Sequence, residues 1–259
     1  MSIYEGTLIH SRTDADGAID VVDQATIRTL HFGTSARQST MFLHDPNVLA
    51  LAYTKCMMTS LVFVAAPRAV LLLGLGGASL AKFFLHHFPA CRVDAVEKRA
   101  AVVEVAQSHF HLPIGERMNV HLGDAGDFLQ RGGAAEYDLV IIDLHDSDGM
   151  APVVSGRHFF EQCRARLKER GMLVINLWTG VREKALQQTT HNLERDFPYG
   201  VLHLPVSGKR NTVALAFNFP VPKNQIKTLH RRAVQLEAET HIELTKLLWD
   251  LARLNSAYF

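Results

Sequence analysis

The chain has 259 residues, of which 47% are apolar and 20% charged, and its formal net charge is +1. The apolar fraction is too high for a disordered chain, and the length is enough to bury one large core. The near-neutral charge argues against nucleic acid or an anionic membrane as a partner, and no uncharged apolar run approaches the roughly 18 residues of a membrane helix. Because three cysteines are scattered and the N-terminus lacks a signal-peptide pattern, we expect a cytoplasmic protein with buried free thiols.

The first 45 residues are predicted to form a small antiparallel β-element. Short runs rich in Ile, Val, Leu and Thr occur at Thr7–His10, Ala18–Val22 and Ile27–Phe32, with turn residues between them. Asp45 and Pro46 suit the cap and first turn of a helix, which we predict through Val48–Phe63. We therefore expect a β-element over residues 1–45 and a second domain over residues 46–259.

From Arg68 onward, apolar strands alternate with amphipathic helices. This alternation predicts an α/β fold with a doubly wound, Rossmann-like sheet. The predicted strands are Ala69–Leu73, Arg92–Val96, Asn119–Leu122, Leu139–Ile142, Met172–Leu177 and a closing hairpin of Val201–Leu204 with Val213–Phe217. The predicted helices are Ser79–His87, Ala100–Phe110, a short helix starting at Asp127–Leu129, Arg157–Lys168, Lys184–Asp196 and a helical tail over Lys223–Asn255. Leucines in the tail indicate a packing or dimer face.

Four consecutive predicted strands each end in a glycine loop or an acid. The first is followed by Gly74-Leu75-Gly76-Gly77, and the next three end at Glu97, Asp124 and Asp143. In open parallel sheets, ligands bind beyond the carboxyl ends of the strands. This periodic placement is the strongest functional signal in the sequence.

The spacing of these residues favours an adenosyl ligand. Gly74 and Gly76 let the backbone approach a ligand closely, and Glu97 follows at the distance typical of an acid that binds ribose hydroxyls. A dinucleotide fingerprint would need Gly or Ala at position 79, where Ser79 stands. Asp124 suits an adenine amino group, so S-adenosylmethionine or a relative is favoured over NAD; a plain strand-to-helix turn with a surface acid is the structural alternative.

The fourth strand leads into Asp143-Leu144-His145-Asp146-Ser147-Asp148-Gly149. Carboxylates here can hold a sulfonium donor, bind an amine nucleophile and help to remove its proton. His145 between the acids is a candidate base or hydrogen-bond donor, and a solvated acidic turn is the alternative interpretation. The other histidines, such as His86 and His87, have no matching ligand set at metal spacing, so we expect no metal.

The stretch from Val70 to Trp178 resembles the spermidine synthase (polyamine aminopropyltransferase) family. The resemblance rests on Leu71–Ser79, Asp94–Glu97, Gly123-Asp124-Ala125, Tyr137–Asp146 and the strand Gly171–Leu177, and short bacterial spermidine synthase-like proteins are most similar. It implies a donor, decarboxylated S-adenosylmethionine, bound by the glycine loop and the strand-end acids.

The resemblance also implies roles for single residues. Glu97 matches the residue that binds ribose, and Asp124, next to Ala125, matches the one beside adenine. Asp143 and Asp146 match the two acids of the family motif Asp-Ser-Ser-Asp, the first helping to deprotonate the amine and the second to bind the acceptor.

Two further positions, Gln38 and Tyr53, are candidates on the same ground. Gln38 lies where the family often places a cofactor-facing Gln, and Tyr53 keeps the Tyr of a family acceptor motif. Trp178 and Asn176, at the end of the fifth predicted strand of the sheet, are placed to line the acceptor pocket, although a core position is the alternative for Trp178. A homodimer is common in the family and is expected here.

Two departures bear on substrate choice. The family loop reads Gly-Gly-Gly-Asp-Gly-Gly, and its Asp, which holds the cationic aminopropyl end of the donor, is replaced by Gly77. The acid of the family motif after Tyr53 is replaced by Lys55, which disfavours a diamine acceptor.

The function that these residues predict is aminopropyl transfer from decarboxylated S-adenosylmethionine to an amine acceptor. A methyltransferase on the same scaffold, using intact S-adenosylmethionine, is the second hypothesis and is favoured by Gly77 and Lys55. A catalytically silent adenosyl-binding protein is the third, and a nicotinamide enzyme is a distant fourth.

Overall fold

A computed structural model describes residues 3–146, 149–178 and 183–259, without the side chains of Asp146 and Glu183. The N-terminal segment forms a four-stranded antiparallel sheet in chain order. Its strands are β1 (Thr7–Asp14), β2 (Gly17–Gln24), β3 (Ile27–His31) and β4 (Ser39–Phe42). Alternating β-branched and polar residues separated by tight turns explain the first three strands.

Seven further strands form the central sheet. They are β5 (Ala69–Leu73), β6 (Arg92–Glu97), β7 (Met118–Leu122), β8 (Tyr137–Ile142), β11 (Leu167–Trp178), β12 (Val201–Pro205) and β13 (Asn211–Phe217). Their order is β12-β13-β11-β8-β5-β6-β7. The strands β11, β8, β5, β6 and β7 are parallel to one another, and β13 is antiparallel to both β11 and β12. The predicted Rossmann-like α/β sheet and its closing hairpin are confirmed.

Helices cover both faces of this sheet, which is why β5, β8 and β11 are apolar on both faces. The helices are α1 (Ala52–Met57), α2 (Ser79–His87), α3 (Ala100–His109), α4 (Ala125–Gln130), α5 (Phe159–Ala165), α6 (Glu183–Asp196), α7 (Ile226–Thr240) and α8 (Leu244–Leu254). Residues of α1, α2, α7 and α8 share one core cluster with the sheet, and residues of α4, α5 and α6 share the other. A two-residue hairpin, β9 (His145–Asp146) with β10 (Gly149–Met150), follows β8.

The N-terminal sheet has a core in common with helix α3. Ile19 and Leu30 from the sheet pack with Val102, Val105 and Phe110 in one buried cluster. This packing fixes β4 beside the start of α2, which matters for the glycine loop described below. The proposed division of the chain into domains after residue 45 stays a prediction.

The helix predicted over Val48–Phe63 is wrong at its start. Asp45 Oδ1 accepts the N–H of Asn47 at 3.2 Å, so it stabilises a turn instead of capping a helix. Leu49 then pairs with Met41 in an isolated bridge, and helix α1 begins only at Ala52. From Met58 to Val62 the backbone continues as a 3₁₀ helix.

Other predicted boundaries also differ. The helical tail is two helices: His241 follows α7 in a left-handed conformation, φ +56°, and Glu237 accepts the N–H of Thr245 at the start of α8. The helix predicted over Arg157–Lys168 ends at Ala165, since β11 already starts at Leu167. The short strand β4 has no counterpart among the predicted strands.

Most leucines of the tail lie in the core, Leu247 is partly buried against it, and Leu254 is 48% exposed. Leu236, Leu244, Leu248 and Leu251 are buried in the main core, which supports the packing interpretation of their pattern. No helix in the three described ranges combines the length and apolar composition needed to cross a membrane.

The burial of Lys82 on α2 predicts a pH dependence of the stability of the protein. Its side chain is 2% exposed and donates to the Phe110 carbonyl at 2.7 Å, and burial lowers its pKa to about 8. The pKa of a lysine in an unfolded chain is ~10.4. Between the folded-state and unfolded-state pKa values, the unfolded state therefore binds more protons than the folded state. The free energy of unfolding rises with pH over this range, by up to about 3 kcal/mol in total. Lys82→Met should remove this rise and stabilise the protein at pH 7, measured by urea unfolding from pH 7 to 10.

Lys246→Met is the matched control, because Lys246 lies exposed on α8. Its unfolding free energy should follow that of the parent protein at every pH. Parallel curves for the parent and Lys82→Met would show that Lys82 does not titrate in this range.

Candidate functional site

The residues expected to bind a donor lie along one edge of the central sheet. The strands β8, β5, β6 and β7 are neighbours in that order, and Asp143, Gly74, Glu97 and Gly123 stand at their carboxyl ends. The Asp143 N–H donates to the Leu73 carbonyl at 2.9 Å, so hydrogen bonding continues past the strand ends. The chain reverses its direction across the sheet between β5 and β8, which is where open α/β sheets bind ligands.

The glycine loop after β5 is packed on one side and open on the other. Gly74 has φ +97°, and a Cβ there would lie 2.4 Å from the Asp143 carbonyl oxygen. Gly76 has φ +52°, and a Cβ there would meet nothing within 4 Å. Ala78 also adopts a left-handed conformation, φ +58°, which is uncommon outside glycine and is found often at functional sites. The bare backbone at Gly76 fits a ligand that approaches closely.

Gly77 has no room for the acid that the resembled family carries at this position. A Cβ at Gly77 would lie 2.6 Å from Ser39 Oγ and 3.0 Å from Phe110 Cδ1. Ser39 Oγ is in turn 3.2 Å from Ser79 Oγ at the start of α2. The space beside the loop is therefore filled by two hydroxyl groups, that of Ser39 from β4 and that of Ser79 from α2.

Glu97 is tied to the glycine loop. Its Oε2 accepts the Leu75 N–H at 3.2 Å, and its Oε1 accepts the Arg99 N–H at 3.0 Å. Each carboxylate oxygen can accept a second hydrogen bond, so hydroxyl groups of a ligand can still bind here.

Asp124 has a structural role as the N-cap of α4. Its Oδ1 accepts the N–H groups of Gly126 at 2.7 Å and Asp127 at 3.3 Å. The second oxygen, Oδ2, stands outside this cap and is the one that a ligand could use. The next residue, Ala125, is buried in the core.

The Asp143 carboxylate lies at the centre of a hydrogen-bond network. Tyr53 Oη donates to Oδ2 at 2.8 Å, and Asn176 Nδ2 donates to Oδ1 at 3.0 Å. Asn211 Nδ2 donates to Asn176 Oδ1 at 2.9 Å and so fixes the orientation of that amide. His145 Nδ1 lies 3.2 Å from Asp143 Oδ1.

These neighbours keep Asp143 ionised. Burial by itself would raise the pKa of Asp143, but hydrogen bonds and charge from His145, with donors from Asn176 and Tyr53, lower it below the ordinary value. Burial and the adjacent carboxylate raise the pKa of Tyr53, which therefore stays a protonated donor. The site combines an ionised carboxylate with an open glycine loop, as binding of a cationic ligand requires.

Trp178 lies beside the hairpin that follows β8. Its ring fits against Gly149, where a Cβ would lie 2.9 Å from the indole. Trp178 and Gly149 line a cavity of about 100 Å³ together with Thr189 of α6. The Thr189 hydroxyl is buried and has no hydrogen-bond partner in the described part of the chain.

Two of the predicted site residues, Asp146 and Gln38, are located by the contacts of their backbone. The backbone of Asp146 pairs with Gly149, and its side chain lies outside the described residues. The Gln38 N–H donates to the Leu30 carbonyl at 2.8 Å, just before β4. It is the next residue, Ser39, whose side chain reaches the glycine loop.

Sequence reasoning missed part of this network. Ser39 and Asn211 come from strands that are distant in sequence, and no local pattern distinguishes them. Asn176 was predicted to line the acceptor pocket, and the structure shows that its side chain donates to Asp143. Among the residues that the structure describes, no group of three or more His, Cys, Asp or Glu is arranged to hold a metal ion.

Two sequence comparisons with known proteins point to the same family. A family model described as the spermine/spermidine synthase domain matches residues 51–201. The chain is 29% identical over 250 residues to the polyamine aminopropyltransferase of Chromobacterium violaceum, covering 95% of this chain and 94% of that protein.

Two solved structures resemble the fold. A probable spermidine synthase from Corynebacterium glutamicum matches with a TM-score of 0.73 at 17% identity, over 88% of each chain, which shows the fold alone. Human methyltransferase-like protein 13 in complex with SAH matches with a TM-score of 0.66 at 26% identity, over 74% of this chain and 93% of that one.

The packing at Gly77 predicts the result of enlarging this residue. Gly77→Ala should lower the free energy of unfolding by about 1–3 kcal/mol, because the new methyl group overlaps Ser39. Adding Ser39→Gly should recover part of this loss in a double-mutant cycle followed by denaturant unfolding. Gly115→Ala is the control, since a Cβ there meets nothing within 4 Å. Equal stability of Gly77→Ala and Gly115→Ala would contradict the packing described here.

Proposed function

Because the chain belongs to the spermine/spermidine synthase domain family, we propose that this transferase moves an aminopropyl group from decarboxylated S-adenosylmethionine to a small-molecule amine acceptor. The observation that carries the proposal is the ionised Asp143 carboxylate, hydrogen-bonded by three side chains, directly beside an open glycine loop.

In this proposal the donor lies along the carboxyl ends of β5, β6 and β7. Gly74, Gly76 and Gly77 would provide the close backbone approach, and Glu97 would accept hydrogen bonds from the ribose hydroxyls. Asp124 and Ala125 would border the adenine. Gln38 would face the donor from the segment before β4.

The acceptor would lie on the β8 side of the loop. Asp143 would help to deprotonate the amine and Asp146 would help to bind it. Tyr53 and Asn176 would hold the Asp143 carboxylate in position. His145 and Trp178 would line the acceptor pocket. The donor supplies a carbon made electrophilic by its sulfonium; orientation of the amine and electrostatic stabilisation by the carboxylate would supply most of the rate.

Methyl transfer from intact S-adenosylmethionine is a second candidate, favoured by the packing at Gly77. Residue 77 is Gly and is packed against Ser39, so the loop has no acid there to repel a carboxylate on the donor. The likeness to methyltransferase-like protein 13 supports the same candidate.

We further propose that the protein works in the cytoplasm as a homodimer, with no nucleic acid or membrane partner. The three cysteines are buried and free, which suits a reducing compartment. On the surface of α7 and α8, Val234, Trp249 and Leu254 remain exposed and could contribute to contacts between copies.

The choice of donor is decided by calorimetry with decarboxylated and intact S-adenosylmethionine side by side. We expect the decarboxylated form to bind at least about tenfold more tightly, a difference of ~1.4 kcal/mol. Mass spectrometry should then detect methylthioadenosine when a panel of mono- and diamines is added.

The other outcomes separate the alternatives. Equal or tighter binding of the intact form, with S-adenosylhomocysteine as product, would establish methyl transfer. Binding without any product would indicate an adenosyl-binding protein, and no binding of either compound would contradict the proposed donor site.

Glu97→Gln should weaken donor binding by about tenfold or more, because a charge-assisted hydrogen bond to a ribose hydroxyl becomes a weaker neutral one. The dissociation constant is measured by the same calorimetry. Glu161→Gln is the control, since Glu161 lies 68% exposed on α5. An unchanged affinity in Glu97→Gln would exclude Glu97 from donor binding.

A further inference from the structure

His145 and Asp143 form a close pair at the carboxyl end of β8. His145 Nδ1 lies 3.2 Å from Asp143 Oδ1, and the two side chains are 17% and 20% exposed. His145 stands where the resembled family motif has Ser, so the pair is a property of this chain. The hairpin β9–β10 holds the histidine in place by pairing His145 with Met150.

Asp143 is poorly suited to take a proton itself. Its Oδ2 already accepts the Tyr53 hydroxyl, and its Oδ1 already accepts the Asn176 amide as well as facing His145. These donors, against the opposing effect of burial, hold the pKa of Asp143 below its ordinary value. A carboxylate with a lowered pKa is a weak base but a strong partner for a cation.

The same contact determines which nitrogen of His145 carries the proton. An ionised carboxylate only accepts hydrogen bonds, so Nδ1 must be the donor when the imidazole is neutral. Nε2 then holds a lone pair. This nitrogen is enclosed and has no hydrogen-bond partner among the described residues.

An enclosed acceptor without a partner is costly, because no hydrogen bond offsets the loss of its hydration. Such groups are rare in folded proteins and call for an explanation, of which a catalytic role is one. Among the described residues, Asp143 is the titratable group in contact with the ring, and Tyr53 lies on the far oxygen of that carboxylate. An acceptor amine that donates a proton to Nε2 would satisfy this nitrogen.

We propose that His145 is the general base of the reaction, and that Asp143 is a positioning residue that orients its ring. This inference rests on the proposed function. The acceptor ammonium gives one proton to Nε2, which produces an imidazolium stabilised by the Asp143 carboxylate. The amine lone pair then forms a bond to the carbon beside the sulfonium, and the electrons of the breaking carbon–sulfur bond go to sulfur as a neutral thioether. The imidazolium afterwards loses its proton to water.

The activity test uses His145→Ala and His145→Gln in the full-length protein. Both variants should lose activity by about 10²- to 10⁴-fold in kcat, the usual contribution of a general base. Donor affinity should not change in calorimetry. The fall in kcat/KM on the acid side of the pH profile should disappear, and added imidazole should restore part of the activity of His145→Ala, which a purely structural role would not allow.

His158→Ala is the matched control. His158 also pairs with a carboxylate, Glu161 Oε2 at 2.9 Å, but it is 65% exposed on the surface. This variant should keep the activity and the pH profile of the parent. If His145→Ala keeps kcat within about threefold of the parent, or keeps the acid limb, His145 is not the base.

A second measurement does not depend on turnover. Nitrogen-15 NMR of the parent, with the His145 signals assigned by their loss in His145→Gln, should show Nδ1 protonated and Nε2 unprotonated. Asp143→Asn should change this distribution. Protonation at Nε2 in the parent would overturn the proposal. If the tautomer is as expected but the parent transfers no group to any amine, the proposed function fails and the base role with it, while the His145–Asp143 pair stands.

Discussion

The partly buried carboxylate of Asp143 is the constraint on which the rest of the site depends. A desolvated charge without partners at this position would be costly, and burial would push the group toward its neutral form. Three elements prevent this by supplying donors: Tyr53 from α1, Asn176 from β11 and His145 from β9. Because each donor comes from a different part of the chain, the carboxylate also ties these elements to β8.

The glycine loop depends on the same strand end. Gly74 lies so close to the Asp143 carbonyl that any side chain would collide with it. The loop and the carboxylate are therefore held at a fixed separation across the switch point of the sheet, as reaction between a bound donor and an acceptor amine requires. On the other side of the loop, Ser39 from the N-terminal sheet occupies the space that an acid at position 77 would need.

The chain is similar to two kinds of transferase, polyamine aminopropyltransferases and a methyltransferase-like protein. The family model and the similarity to a polyamine aminopropyltransferase extend over most of the chain. At position 77 this chain has Gly where the resembled family has an acid, and at position 145 it has His where that family has Ser, while the fold of the sheet is the same. The fold is thus shared with the family, and under the proposed function these two positions bear on the choice of donor and on the deprotonation of the acceptor.

The sequence by itself determined the strands of the central sheet and the residues at their carboxyl ends. Continuous apolar runs followed by glycine or an acid, as at Gly74, Glu97 and Asp143, are local signals. The parallel arrangement of the strands then brings these residues to one edge of the sheet. The tertiary structure decided the rest. Ser39 and Asn211 reach the site from distant strands, and the turn at Asp45 replaced a helix start because Leu49 pairs with Met41. Which hydrogen-bond donors surround the carboxylate depends on contacts between distant segments, and no local periodicity encodes them.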